Sequence, residues 1–341
     1  MKSLLTLFRY LIFLAAGAAL LWFTFRHQNF NDVFDKIIKA DPFWVGITLI
    51  ISILALISRA MRWKQLIVSL GYNPRLSSTF KALMLGYLAN MALPRLGEVS
   101  RCGALNKSDE IPFDKLLGTV IVERVSDVIM LLLCMLLVAF LEFERLGGFM
   151  NENLVKPMLE KWYGNTVAVV VIIVLLITGV VIIFRLFKMQ NPPAWIQKIK
   201  KLLSGIGEGL QSITHLENKG VFLFHTFFIW GMYLLLTYVS FFAFPFSSGL
   251  TLSAALFITV LGGIGMSAPV QGGIGTYDWL VSQGLILYGL SETNGTVFAV
   301  MGHSVQTLFL VALGIISMIS LFFFTKKQSS SIHESSANAA K

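Results

Sequence analysis

Five consecutive residues, Glu123-Arg124-Val125-Ser126-Asp127, interrupt a long apolar run between Leu116 and Leu141. If a membrane span began after them, the remaining stretch, Val128 to Leu141, would be about 14 residues, too short for a hydrocarbon layer of about 30 Å. The charges therefore fall inside the membrane zone, with Asp127 about 16 Å along the helix axis from Leu116. A charge facing lipid costs about 2.5 to 3.5 kcal/mol on insertion scales, so these side chains must face a polar cavity or partner groups. Glu123 and Asp127, four residues apart, share a face with Thr119. Arg124 lies about 100° around the helix and pairs poorly with Glu123. It needs another partner, for which Glu98 is a candidate. We read the group as a substrate contact or gate; the alternative is a purely structural ion-pair network.

Further polar residues cluster at breaks in apolar segments. Arg95, Glu98 and Arg101 stand at and after the Pro94-Arg95-Leu96-Gly97-Glu98 turn. A guanidinium fork suits phosphate oxygens, so this cluster reads as headgroup recognition in preference to interfacial snorkelling. Gly272, Gly273 and Gly275 follow Pro269. Their free amides suit an anion, and equally their small size suits tight helix packing. Asp278 is the acid nearest this turn, and His303 lies mid-span, where it is as readily a packing residue as a site member. Arg59 and Arg62, beside Trp63, read as an interface anchor. The two cysteines, Cys102 and Cys134, form no CxxC motif, and the histidines lack ligand spacing. No nucleotide-binding or hydrolase motif occurs. The expectation is accordingly no metal, no cofactor, no catalytic residue and no enzyme.

The elements that must position these residues are membrane helices. The chain is 56% hydrophobic and 13% charged, where a globular domain carries roughly a quarter charged residues. Mean hydropathy is +0.75. The apolar runs are continuous rather than alternating, which excludes a transmembrane β-barrel. Six full spans are predicted, at about 4–25, 42–57, 116–141, 166–187, 221–244 and 296–324. Two shorter apolar segments, 80–93 and 251–290, are broken by Pro and Gly and read as re-entrant elements, so hydropathy alone would count about eight spans. Each short helix ends in a proline with a glycine three residues on, and each precedes a long span, a pattern that suggests an inverted repeat. The expected organisation is a single membrane domain over 1–327 with a disordered tail over 328–341. Residues 188–219 carry Trp195, Ile199, Leu202 and Ile206 at helical spacing among lysines, which predicts an amphipathic linker on the cytoplasmic surface. The net charge of +9 fits contact with an anionic leaflet. No basic patch interleaved with aromatics sits on a soluble module, which argues against nucleic acid.

Four segments carry a family resemblance: Arg59-x-x-Arg62-Trp63; Gly86 and Asn90 ahead of Pro94-Arg95-x-Gly97-Glu98-x-x-Arg101; Glu123-Arg124-x-x-Asp127; and Pro269-x-x-Gly272-Gly273-Ile274-Gly275. In this order they resemble the lysylphosphatidylglycerol synthase transmembrane region, the flippase-like part of the multiple peptide resistance factor. The resemblance covers about residues 5–325 and implies an all-α membrane protein that moves lipids across a bacterial cytoplasmic membrane. It adds Asn90 to the candidate residues, and implies membrane phospholipids as partners; a homo-oligomer is open. The soluble lysyl-transferase part of the two-part relatives has no counterpart here, so lysyl transfer is not carried over. Family members often have an arginine near the position of His303, which is a departure. The functional expectation is a flippase-like or scramblase-like lipid translocator. A membrane enzyme on lipid-linked substrates and a small-solute transporter are the alternatives.

The segment from Arg59 to Lys81 holds five bases and no acids, which places it and both termini in the cytoplasm. A single cysteine placed at Asn153 in a cysteine-free background should then react with an impermeant reagent in intact cells. Labelling only after permeabilisation would overturn this topology.

Overall fold

The computed structural model describes residues 30–93, 96–152 and 218–339, together with positions 22, 156, 185, 189, 193, 196, 197 and 216. All regular structure among them is helical. A short helix, α1 (Phe30–Ile38), precedes the first described span, α2 (Pro42–Val68). Pro42 supplies a helix-ready φ at the first turn, and the Asp41 carboxylate accepts a bond from the Phe43 amide (2.9 Å), so the start of α2 is doubly fixed. The helices α3 (Leu76–Ala92), α4 (Leu96–Asp109), α5 (Phe113–Leu141) and α6 (Phe143–Met150) follow. The next described helices are α7 (Lys219–Ser240), α8 (Leu252–Ser267), α9 (Thr276–Ile286) and α10 (Glu292–Ala339).

Among the described residues, four helical segments are long and apolar enough to cross a membrane: Pro42–Val68, Phe113–Leu141, Lys219–Ala243 and Glu292–Leu321. They correspond to four of the six spans expected from the sequence. The other two, at 4–25 and 166–187, and nearly all of the 188–219 linker lie outside the described residues. Two boundaries differ from expectation. Helix α2 does not stop at residue 57 but carries Arg59 and Arg62 within its continuous length. A hydropathy reading ends a span at its first charge, whereas the helix continues wherever its charges find partners. Helix α10 runs to Ala339, past Lys327, where a disordered tail was expected. No Pro or Gly follows Gly314 to stop it.

Packing divides the chain into two compact units, Met1–Met135 with Leu216–Lys341, and Leu136–His215. Hydropathy alone suggested a single domain over 1–327 and cannot show this division. In the second unit, Glu142 and Arg145 pair at 2.9 Å around the start of α6.

In the first unit both short elements are helix–break–helix hairpins. Helices α3 and α4 pack along one another across the break at 93–95. Their closest point is Gly97, where a Cβ atom would collide with the Gly86 carbonyl oxygen and the Asn90 side chain. Asn90 accepts a bond from the Gly97 amide (2.7 Å), so it stitches the break rather than facing a ligand. Helices α8 and α9 form the second hairpin around a turn at Gln271–Gly273. The two breaks meet: the Met91 thioether, at the end of α3, fills the space a side chain on Gly272 would need. Helix α10 packs against both α3 and α9. A buried cluster with Trp63, Ala82, Cys102, Leu105 and Leu116 joins α2, α3, α4 and α5.

The Gly86–Gly97 contact predicts a contrast between two glycines of α4. Gly97→Ala should destabilise by about 1–3 kcal/mol through overpacking. Gly103, with open space at its Cβ position, should tolerate Gly103→Ala with a gain of about 0.5–1 kcal/mol. Unfolding midpoints of the two variants in one detergent check this.

Candidate functional site

The polar face of α2 builds the site. Thr48, Ser52, Arg59 and Arg62 recur on one buried side of the helix, at steps of three, four and seven residues. Arg59 lies about 14 Å from the Val68 end of α2, and Glu123 about 15 Å from the Phe113 end of α5. These two ends pack together, so the charges meet near mid-depth of a hydrocarbon layer about 30 Å thick.

Glu123 is the hub. It is fully buried, and four arginines converge on it. Arg59 Nη2 lies 3.3 Å and Arg62 Nη2 3.4 Å from Oε1, while Arg101 Nη2 lies 2.8 Å from Oε2. Asp127 takes the second place: Arg62 Nη2 donates to its Oδ1 at 2.7 Å, and Arg59 Nη2 lies 3.5 Å from its Oδ2. Arg124 sits at the rim, 3.6 Å from Glu123 Oε1 and 3.5 Å from Asp127 Oδ2, with 44% of its side chain exposed. Neutral groups complete the shell. Arg59 donates to the Tyr233 hydroxyl (2.9 Å) and Arg62 to Thr226 Oγ1 (3.4 Å), both on α7. The Trp63 ring lies 4.6 Å from the Arg101 guanidinium carbon and donates its own N–H to Thr119 (2.9 Å). Tyr87 of α3 lies under Arg59 at 5.7 Å.

Several expectations change here. Arg59 and Arg62 are not interface anchors but core members of the network. The signal that could have found them was their register with Thr48 and Ser52 on one helical face. Arg124 does pair loosely with Glu123 and Asp127, and among the described residues Glu98 forms no ion pair with Arg124 or Arg101. The long arginine side chain curls back across the 100° that separates it from Glu123. Arg101 joins the network as expected; Arg95 lies outside the described residues.

The glycine turn forms a second cluster. Gly272, Gly273 and Gly275 adopt φ of 57°, 78° and 81°, a region open to glycine. The turn does hold an anion through a backbone amide, but that anion belongs to the chain: Gly275 N–H donates to Asp278 Oδ2 (2.9 Å). His303 bridges Asp278 Oδ1 and the Gly272 carbonyl oxygen, 2.9 Å from each ring nitrogen. The Tyr277 ring packs against it at a tilt of 43°, with centroids 4.7 Å apart. His303 is therefore a structural tie between α10 and the turn.

A small cleft, with a cavity volume of about 30 Å³, is lined by Thr48, Thr237, Ser240, Tyr277, Phe298 and Gln306 among others. Thr237, which lines it, is one helical turn beyond Tyr233 on α7. Among the described residues, no group of three or more His, Cys, Asp or Glu side chains could hold a metal ion.

The same segments decide the family. The family model for the lysylphosphatidylglycerol synthase TM region matches residues 7–314. The chain belongs to this family. It is also similar to the UPF0104 membrane protein MJ1595 of Methanocaldococcus jannaschii, 26% identical over 312 residues, covering 84% of this chain and 88% of that protein. No solved structure matches. The matched region contains every residue of both clusters.

Removing the hub should cost most. Glu123→Gln leaves buried arginines without their shared carboxylate and should destabilise by about 3–5 kcal/mol. Arg124→Gln, at the open rim, should cost less than about 1 kcal/mol. Denaturation of both variants in one detergent checks the ranking; equal losses would contradict a hub at Glu123.

Proposed function

We propose that this chain is a lipid translocator, flippase-like or scramblase-like, which holds a polar headgroup at the Glu123 network while the acyl chains stay in lipid. The observation that carries this reading is a cluster of four arginines and two carboxylates at mid-depth with one member, Arg124, open at the rim. Charges kept in a membrane protein's interior are expensive and mark substrate paths. The guanidinium fork is the side chain best shaped for phosphate oxygens. The small cleft lined by Thr237 and Ser240 lies further along α7, the helix that brings Tyr233 to the network. Membership in a lipid-synthase transmembrane family supports the same reading.

The chain acts in this proposal as a transporter rather than an enzyme, because Glu123 and Asp127 are each held by arginines and neither is poised as a free acid or base. Phospholipids of the cytoplasmic membrane are its partners, and both termini face the cytoplasm, an orientation that rests on Lys64, Arg75 and Lys81 once Arg59 and Arg62 belong to the network. The roles first considered for Gly272, Gly273, Gly275, Asp278 and His303 as direct ligands give way to positioning of the second hairpin. Downhill flow or an ion gradient would drive movement.

Reconstitution in liposomes with headgroup-labelled phospholipid and an impermeant quencher tests this. The protein should accelerate loss of inner-leaflet signal. Arg124→Gln should slow it by about tenfold, the worth of a hydrogen bond to a charged group, while the melting temperature holds. Unchanged translocation by stable Arg124→Gln would sink the proposal.

A further inference from the structure

The network is not charge-balanced. Arg59, Arg62, Arg101 and Arg124 contribute four positive charges and Glu123 and Asp127 two negative ones, leaving an excess of two positive. Among the described residues no other acid reaches these arginines. Desolvated like charges repel far more strongly than in water, so the excess calls for an anion. The donors match. Arg101 is 3% exposed, yet its Nε and Nη1 have no hydrogen-bond acceptor, and its Nη2 meets Glu123 only as an ion contact. Arg59 Nε and Arg62 Nε are likewise buried without an acceptor. The Trp63 ring against Arg101 fixes that guanidinium plane, so its unused donors are held in position.

The surroundings say what the anion is attached to. Arg124 sits within a stripe of exposed apolar side chains on α5: Leu117, Ile121, Val128 and Leu132, at helical spacing before and after it. An anion entering past Arg124 with an apolar tail would lay that tail along this stripe.

We propose that the Glu123 network binds the phosphate monoester headgroup of a lipid. A phosphate monoester carries a charge of about −1.5 to −2 at pH 7 and three terminal acceptor oxygens. That cancels the excess of two, whereas a phosphodiester, with one charge, leaves half of it. The oxygens take the unused donors of Arg101, Arg59 and Arg62, and Arg124 closes over the rim. Glu123 and Asp127 keep the guanidiniums from spreading apart. The inference rests on the network being the headgroup site of the translocator, and it sets which headgroup that site prefers.

The test is equilibrium binding to the full-length protein in detergent, read by melting temperature and tryptophan fluorescence. The probes are short-chain phosphatidic acid, short-chain phosphatidylglycerol, and glycerol phosphate. Phosphatidic acid should raise the melting temperature in a saturable way, at least about tenfold tighter than phosphatidylglycerol, since an uncompensated buried charge is worth at least that factor. Glycerol phosphate should give little shift. In Arg124→Gln and in Arg101→Lys, which keeps the charge and loses the fork, phosphatidic acid should bind about tenfold more weakly. Equal binding of both lipids would overturn the proposal. So would glycerol phosphate binding as tightly as phosphatidic acid, or no binding by any probe. Translocation of phosphatidylglycerol that persists without selective phosphatidate binding would overturn this inference alone. Selective binding without translocation would leave it standing and remove the transport reading.

Discussion

An ionised group in the interior of a membrane protein must be surrounded by its counter-charges, and in this fold that requirement converges on one carboxylate. Glu123 sits fully buried where α2, α4, α5 and α7 come together. Three of those helices bring charges and the fourth brings hydroxyls. Each contributes side chains that would be untenable in lipid alone, so the helices are committed to one another. The apolar cluster around Trp63, Cys102 and Leu116 packs against this arrangement through the Trp63 ring on Arg101. The hydrophobic term here fixes which faces meet, while the ionic term fixes the register, since a shift of one residue would turn Arg59 and Arg62 away from Glu123.

The sequence made part of this legible. Glu123, Arg124 and Asp127 could be placed inside the bilayer because the remaining apolar run was too short to span without them. Both hairpins could be read from a short apolar helix ending in Pro with Gly close behind. The partners of the acids were harder to see. Arg59 and Arg62 follow an apolar run, which is also where interface anchors stand, and only the packing of α2 against α5 and α7 tells the two apart. Tyr233 and Thr226 carry no charge and gave no signal, yet each accepts a bond from one of the guanidiniums. His303 looked like a site residue or a packing residue in equal measure, and Asn90 was a site candidate through the family resemblance alone. The geometry assigns them to holding the breaks, one through the Gly97 amide and the other through the Gly272 carbonyl.

The two hairpins are mechanically linked as well as similar in pattern. Met91 fills the hollow at Gly272, and one turn before it on α3 Tyr87 lies under Arg59. A displacement of the glycine turn therefore has a short physical route to the arginine network, through packed side chains on a single helix. His303 holds the other side of that turn, tying it to α10, the span that touches both hairpins.

The order of the charges along the chain has a consequence for biogenesis. All four arginines and both carboxylates of the network precede residue 128. Helix α7, which begins at Lys219, supplies only the neutral Tyr233 and Thr226. Synthesis proceeds at about 5–20 residues per second, so α2, α4 and α5 exist together for several seconds before α7 leaves the ribosome. The costly ionic groups can find each other within the first two-fifths of the polypeptide, and no charge of the network need wait in lipid for a distant segment. The later half then closes over a nucleus whose electrostatics are already internally matched except for the positive surplus.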